Sequence, residues 1–370
     1  MALTNQLRVL EVVQSLERGG RTTRFTDTVS GLREQNIFVL PLCLSKPVDW
    51  VDINNLKVIE RKDGLNWRLI FKIRATIKSN NINLVHAHCE LSQLYAGIAS
   101  FLCNVKVVGT FHRSDLARYQ PNLVNKLIRF FVSEYIAVSH DRLSLLTDHL
   151  KFPKEACHVV HGGTDVGKIP SDKLVQQTRK LLSIPANQIT LLSIGHLGYI
   201  KGHQDTIIAL ANIIPKNSNV HLNIAGAGSP KEKQLLVDQI SYLQLQKNVT
   251  LLGQINNTKE LLCACDIFIQ PSIEEAFGLV FIEAGAQSKP TIATNVGGIK
   301  EIIVNNKTGL LVPPATPNEL SKALQQLITT PEQRNKMGIA AYKRVKDSFS
   351  LCSMINNYLT IFNKAINNNH

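Results

Sequence analysis

Short, strongly apolar runs recur along this chain, each ending in a polar or glycine-bearing loop and leading into a longer mixed segment. In the first half they are Arg8–Val13 (RVLEVV), Ile37–Leu42 (IFVLPL), Val58–Ile59, Leu84–Ala87 (LVHA), Val105–Gly109 (VKVVG) and Tyr135–Val138 (YIAV), with His158–Asp165 (HVVHGGTD) closing the series. In the second half they are Ile189–Gly195, Val220–Ala225, Val249–Leu252, the run DIFIQP from Asp266, Thr291–Thr294 and Gly309–Pro313. Compact apolar runs of this kind, alternating with helix-length segments, predict buried strands of parallel sheets joined by helical crossovers. Helices are expected at Asn66–Lys78, Lys126–Val132, Asn318–Ile328, with a cap at Thr316–Asn318, and Glu332–Phe349.

At 370 residues the chain exceeds what one hydrophobic core normally serves. The stretch KIPSDK (Lys168–Lys173) has linker composition, which places a first domain at residues 1–168 and a second at 169–346. The predicted fold class is therefore α/β: two Rossmann-like parallel-sheet domains in tandem, facing each other across a cleft.

Composition narrows the options only a little. The 44% apolar and 19% charged content is that of an ordinary globular protein. Lys and Arg number 41 against 28 Asp and Glu, a formal charge of +13, which favours an anionic partner such as a phosphorylated ligand, an anionic membrane surface or nucleic acid. The basic residues are dispersed and no nucleic-acid reading module accompanies them, so nucleic acid is not expected. Asn66–Lys78 and Lys126–Val132 interleave basic with apolar and aromatic residues. Each reads either as an ordinary amphipathic helix or as a face for anionic lipid. The seven cysteines are scattered, and Cys263-Ala-Cys265 lacks metal-knuckle or redox spacing, so structural thiols in a reducing compartment are expected. No apolar run reaches the ~18 residues of a membrane span, and MALTNQLRVLEVV shows no separate signal region. The expected location is cytoplasmic, with peripheral attachment to the inner face of the membrane as an extension.

The chemistry gathers at the strand ends, the usual ligand position in parallel sheets. Gly19-Gly20 after the first strand allows close backbone approach to an anion or forms a simple turn. His86 and His88 stand where LVHAH empties into its loop, and His112, Arg113 and Asp115 follow VKVVGTF. These histidines show no compact metal-ligand pattern, and sugar or phosphate readout by His112 is the stronger reading. Lys201-Gly202 precedes a predicted helix whose free N–H groups suit a phosphate; the other reading is a solvent lysine beside a turn glycine. Glycines at 226, 228, 253, 278, 297 and 298 line the same edge. Glu283 lies inside a mostly apolar helix after DIFIQPSIEEAFG; spacing alone leaves it either a surface charge or a ligand group.

Glu275-Ala-Phe-Gly-Leu-Val-Phe-Ile-Glu283 resembles the E-x7-E signature of glycosyltransferase family 4, the retaining, nucleotide-sugar-dependent enzymes of GT-B architecture. SIGHLGYIKG, NIAGAG and KPTIATNVGGIKEIIVNNKTGLLVPP are similar to the segments flanking it in that family, and SLERGG, HAH, GTFH and HGGTD follow the family order in the first half. The resemblance spans essentially the whole chain. It implies that Glu283 holds ribose hydroxyls, Glu275 the hydroxyls of the transferred sugar, and Lys201 the diphosphate. It also implies that the amides of Phe277, Gly278 and Leu279 support the donor, that Gly20 approaches the phosphate or acceptor, and that His112 binds the sugar near the reacting centre. The catalytic set so implied is His112, Lys201 and Glu275. His196 stands at a donor-binding position where the family usually carries Arg, which is longer and always charged. The C-terminal helix, 347–366, would complete the first domain. No Asp-x-Asp metal element is present in this signature region, and neither metal nor cofactor is expected.

The function implied is transfer of a hexose-type sugar from a nucleoside diphosphate sugar, UDP-linked favoured and GDP-linked as the alternative, to a cell-envelope lipid-linked or polysaccharide acceptor. A nucleotide-sugar epimerase or hydrolase of the same fold, and a non-catalytic nucleotide-sugar-binding protein, are the competing readings.

Overall fold

The computed structural model describes residues 7–46, 48–62, 64, 66–113 and 120–367; Asp115 lies outside the described residues. The chain divides into two compact units, Met1–Gly163 with Leu351–His370, and Thr164–Ser350.

The first unit is built on a seven-stranded sheet of β1 (Arg8–Val13), β2 (Phe38–Cys43), β3 (Lys57–Val58), β4 (Leu84–His88), β5 (Lys106–Phe111), β6 (Glu134–Ala137) and β7 (Cys157–Val159). The order is β3-β2-β1-β4-β5-β6-β7 and every pairing is parallel. Consecutive strand residues point to opposite faces, and β1 shows both. Leu10 and Val12 join a core with Ile70, Ile73 and Ile77 of α2 (Trp67–Ser79), Leu94 of α3 (Glu90–Phe101) and Ile128 of α4 (Leu123–Phe131). Val9 and Val13 join a second core with Phe25 and Val29 of α1 (Gly20–Glu34) and with Tyr358 and Phe362 of the C-terminal helix, Leu351–Asn367. The last helix of the chain thus covers one face of the first sheet. Short α5 (His140–Ser144) follows β6. Asn66 caps α2 by accepting the Leu69 amide, and Leu69, Ile70, Ile73 and Ile77 form its buried stripe.

In the second unit, α6 (Asp172–Leu181) leads into a six-stranded sheet of β8 (Ile189–Ile194), β9 (Val220–Ala225), β10 (Val249–Gly253), β11 (Ile267–Gln270), β12 (Thr291–Thr294) and β13 (Gly309–Val312). Its order is β10-β9-β8-β11-β12-β13, again parallel throughout. The crossovers are α7 (His203–Ile213), α8 (Pro230–Tyr242), α9 (Thr258–Ala264), α10 (Leu279–Ala286) and α11 (Ile299–Ile302), followed by α12 (Pro317–Thr329) and α13 (Pro331–Ser348). In each sheet the order reverses once, between β1 and β4 and between β8 and β11. At such a point neighbouring crossovers leave on opposite sides, opening a crevice at the carboxyl ends of the two strands.

Two details depart from the sequence expectation. β5 runs to Phe111, past Gly109, and so delivers His112 directly from its end. Gly109 remains in the strand because its bare Cα accommodates the Gln93 side chain, which would lie 2.7 Å from an added Cβ. Thr316 does sit at the N-cap of α12, but makes no side-chain cap there; its hydroxyl donates to the Pro313 carbonyl at 2.6 Å. Pro317 at the first helical position brings no N–H needing a partner. No helix among the described residues is long and apolar enough to cross a membrane.

Phe362 is fully buried against the sheet. Phe362→Ala is expected to cost about 3–5 kcal/mol of stability, measured by urea unfolding of the full chain.

Candidate active site

In the second unit, the loops after β8 and β11 carry the residues singled out by the sequence. Glycines let these loops meet backbone to backbone. A Cβ on Gly226 would lie 1.8 Å from the Gly195 carbonyl oxygen, and one on Gly202, which has φ 69°, would lie 2.1 Å from that of Pro271. The carbonyl of Lys201 accepts a hydrogen bond from Gln270 Nε2 at 2.6 Å. Gln270 Oε1 in turn accepts from the Ser193 hydroxyl and the Ile194 amide, at 3.0 and 3.2 Å. The last residue of β11 therefore holds the loop that follows β8. His203 is bonded to Ser193 and to the carbonyl of His196, and burial pushes its imidazole down to about 4, so it serves this scaffold as a neutral ring.

On that scaffold the Lys201 ammonium donates to Glu275 Oε2 at 2.6 Å, with the lysine side chain partly exposed and the glutamate nearly buried. The carbonyl of Glu275 accepts the Gly298 amide at 3.3 Å. Gly278, at φ 98°, is the N-cap of α10, whose first turn contains no acidic side chain. The opening N–H groups of a helix lack intrahelical acceptors, so Gly278 and Leu279 present a site suited to an anion or a polar ligand. Glu283 follows Leu279 by one turn on the same helix face. Its carboxylate makes no hydrogen bond or ion pair among the described residues, and burial pushes it up to about 7. Lys201, Glu275, Gly278, Leu279 and Glu283 all belong to the switch-point region of this sheet.

His196 is placed differently from an arginine reaching for phosphate. Its ring is mostly exposed, its Nδ1 accepts the Gly198 amide at 3.0 Å, and that same nitrogen lies 3.7 Å from Glu232 Oε1. The short side chain folds back on its own loop instead of extending beyond it.

In the first unit, Gly20 opens α1 behind Gly19, whose φ of 145° makes the N-cap. His112 emerges half-buried from β5 and lies 2.8 Å from His88. His86 and His88 themselves are not loop residues. β4 runs through both, and both are fully buried. They face Glu11, the buried carboxylate of β1, also at 0% exposure. Register explains the meeting, since Glu11 pairs with His86 and Val13 with His88 across the β1–β4 switch point. Glu11 Oε1 accepts from His86 Nδ1 at 3.0 Å and Oε2 from His88 Nε2 at 2.8 Å. Burial alone would raise this carboxyl; the two histidines outweigh it and hold Glu11 down at about 2. The possible ligand atoms of Glu11, His86 and His88 lie within 4.8 Å of one another, yet they already satisfy each other by hydrogen bonding.

Sequence reasoning passed over Glu11, Gln270, Ser193 and His203. For Glu11 a signal existed: a carboxylate inside the apolar run RVLEVV demands a partner for the same reason as Glu283. Nothing local in the sequence marks Gln270 as the residue that holds the Lys201 loop.

Two family models match this chain, Glycosyltransferase Family 4 over residues 16–168 and Glycosyl transferases group 1 over residues 175–344. The chain is a glycosyltransferase homologous to both groups. This glycosyltransferase is 27% identical over 305 residues to the N-acetyl-alpha-D-glucosaminyl L-malate synthase of Bacillus anthracis, covering 80% of this chain and 78% of that protein. A glycosyltransferase from Rickettsia africae shares its fold with a TM-score of 0.86 at 22% identity, covering 98% of this chain and 100% of the other. Anabaena HepE, crystallised with UDP-glucose, superposes with a TM-score of 0.83 at 21% identity over 97% of this chain and 100% of that one. The fold is GT-B.

Glu283 gives this glycosyltransferase a distinctive pH response. A carboxyl raised from 4.5 to about 7 binds more protons folded than unfolded between those values. Its contribution to stability therefore falls as pH rises from about 4.5 to about 7 and is flat above. Glu283→Gln is expected to raise the urea midpoint of the unliganded protein at about pH 8 and to leave it nearly unchanged at about pH 4, below both values.

Proposed function

We propose that this enzyme transfers a hexose-type sugar, with retention of anomeric configuration, from a UDP-sugar in preference to a GDP-sugar onto a lipid-linked or polysaccharide acceptor of the cell envelope. The observation that carries the donor reading is the carboxylate of Glu283, one turn inside α10 and unpartnered among the described residues, in the same switch-point region as the loops bearing Lys201 and Glu275. A carboxylate held at a desolvation cost is matched by vicinal ribose hydroxyls, which supply the donors that the protein withholds. The UDP-glucose in the Anabaena neighbour supports a uridine donor.

In this reading Lys201 serves the diphosphate. Its ammonium has three N–H donors, and Glu275 takes one in the unliganded protein. The other two meet the charge that grows on the leaving phosphate as the sugar bond breaks, an interaction stronger in the transition state than before it. The helix-end amides at Phe277, Gly278 and Leu279 add to the same stabilisation. Glu275 orders the hydroxyls of the transferred sugar while fixing the lysine. His112 binds the sugar, and Gly20 serves the phosphate or acceptor. His196, folded onto its loop, contributes its exposed ring edge in place of an arginine fork. Lys201→Ala and Glu283→Ala are each expected to lower kcat/KM for UDP-sugar turnover at least tenfold, about 1.4 kcal/mol of lost transition-state stabilisation. Turnover at the wild-type level in both variants would remove the site assignment.

The membrane clause rests on one face of the first unit. Trp67 and Phe71 of α2, Phe101 at the end of α3, and Leu123 and Phe130 of α4 are all more than half exposed. Phe101 and Phe130 lie 5.9 Å apart, and Arg68, Lys72 and Lys126 stand exposed on the same helices. Aromatic side chains flanked by cations suit the headgroup layer of an anionic bilayer. Flotation with phosphatidylglycerol-containing vesicles should carry the protein upward, and Trp67→Ser with Phe130→Ser should leave it at the bottom. Equal flotation of both proteins, or none of either, counts against attachment through this face.

A further inference from the structure

Glu11 is sealed from solvent, yet a continuous hydrogen-bonded path joins it to His112, a half-buried ring at the strand end. We propose that Glu11 is a positioning residue that, acting through His88, locks His112 into one tautomer and turns it into an obligate hydrogen-bond acceptor toward its ligand. The inference rests on the reading of His112 as a sugar-binding residue, which makes that ligand group a hydroxyl of the donor sugar.

The direction of every bond in the path follows from its buried end. An ionised carboxylate only accepts, so the 2.8 Å contact between Glu11 Oε2 and His88 Nε2 places the proton on His88 Nε2. A neutral imidazole carries one N–H, which leaves His88 Nδ1 as an acceptor. The 2.8 Å contact from that nitrogen to His112 Nε2 is then donated by His112. His112 in turn keeps a bare lone pair on its Nδ1. Burial first, then the neighbouring charges, hold both rings well below the usual imidazole range, so both are neutral at physiological pH. For His112 those charges include Arg24, Arg21 and His86. Were Glu11 replaced by a group able to donate, the same contacts could run the other way and present an N–H to the ligand.

The remaining contacts keep this polarity from slipping. His86 donates from Nδ1 to Glu11 Oε1 and contacts Thr110 Oγ1 through Nε2 at 2.7 Å. Tyr358 bonds to Thr110 and accepts from Arg24 Nε at 2.7 Å, while Arg24 Nη2 is anchored on the Val160 carbonyl. The His86 ring is packed between these groups and Phe362, with ring centroids 5.2 Å apart. Glu11 is thus clamped from both sides, and rotation of its carboxylate would break two buried bonds at once. An acceptor at His112 recognises a hydroxyl by its proton and rejects a donor sugar in which that hydroxyl is missing, since the buried polar path would end unpaired.

The test uses the full chain labelled with 15N-histidine, with two-bond 1H–15N spectra between pH 6 and 8 and His112 assigned from the His112→Ala spectrum. The wild-type protein should show His88 and His112 both as neutral Nε2–H tautomers. Glu11→Gln, which keeps shape and volume, should move His112 to the Nδ1–H or a mixed pattern; His88→Leu, which leaves Glu11 on His86, should do the same if the first variant does not fold. In parallel, UDP-glucose is compared with its 2-, 3-, 4- and 6-deoxy analogues. Wild-type enzyme should discriminate against one of them at least tenfold in kcat/KM, and the two variants should lose most of that discrimination. A wild-type His112 that is protonated or Nδ1–H at pH 7, or an Nε2–H pattern unchanged in both variants, would overturn the proposal. The expected tautomers combined with full turnover by His112→Ala would overturn the sugar-binding reading alone.

Discussion

Backbone packed against backbone is the constraint on which the second unit's site depends. The Gly226–Gly195, Gly202–Pro271 and Gly297–Glu275 approaches each leave no room for a Cβ, which would fall 1.8 to 2.1 Å from a carbonyl oxygen. Loops pressed this closely have little freedom to drift, so the side chains they carry inherit the rigidity of the strands beneath them. Gln270 extends the same principle by tying the end of β11 to the Lys201 carbonyl. The lysine and Glu275 are consequently placed by the sheet and not by their own flexible stems.

The first unit solves a similar problem with polar groups in place of close-packed glycines. Its central strands bury a carboxylate and two histidines where apolar residues would normally sit, and the cost of that burial is met only because each polar atom finds a partner. Such a cluster is unforgiving of substitution, since removing one member strands the others. It also makes the switch point of this sheet chemically specific, whereas an all-apolar version would merely be stable.

Much of this was legible in the residues. Except at β7, where the strand occupies only Cys157–Val159 and the rest of His158–Asp165 is loop, the apolar runs matched the strands of both sheets to within a residue or two, because a parallel strand buried on both faces has little choice of composition. Glu283 was visible as a carboxylate in an apolar helix, and its lack of a partner among the described residues is what a ligand group requires. His88 was placed one residue beyond its strand for a clear reason: a second polar residue at the end of an apolar run looks like the start of a loop, and only the pairing of Val13 with His88 shows that the strand continues through it. Gln270 escaped notice because its role depends on a loop nearly 70 residues earlier in the chain.

The path of the chain imposes an order on its own synthesis. Residues Thr164–Ser350 form a contiguous unit that has all its parts once its last strand and helices have left the ribosome. The first unit, although translated earlier, waits for Tyr358 and Phe362 before the face carrying Glu11, His86 and His88 is covered. The later-made unit can therefore complete its fold before the earlier one, whose Glu11, His86 and His88 stay uncovered until Tyr358 and Phe362 have been made.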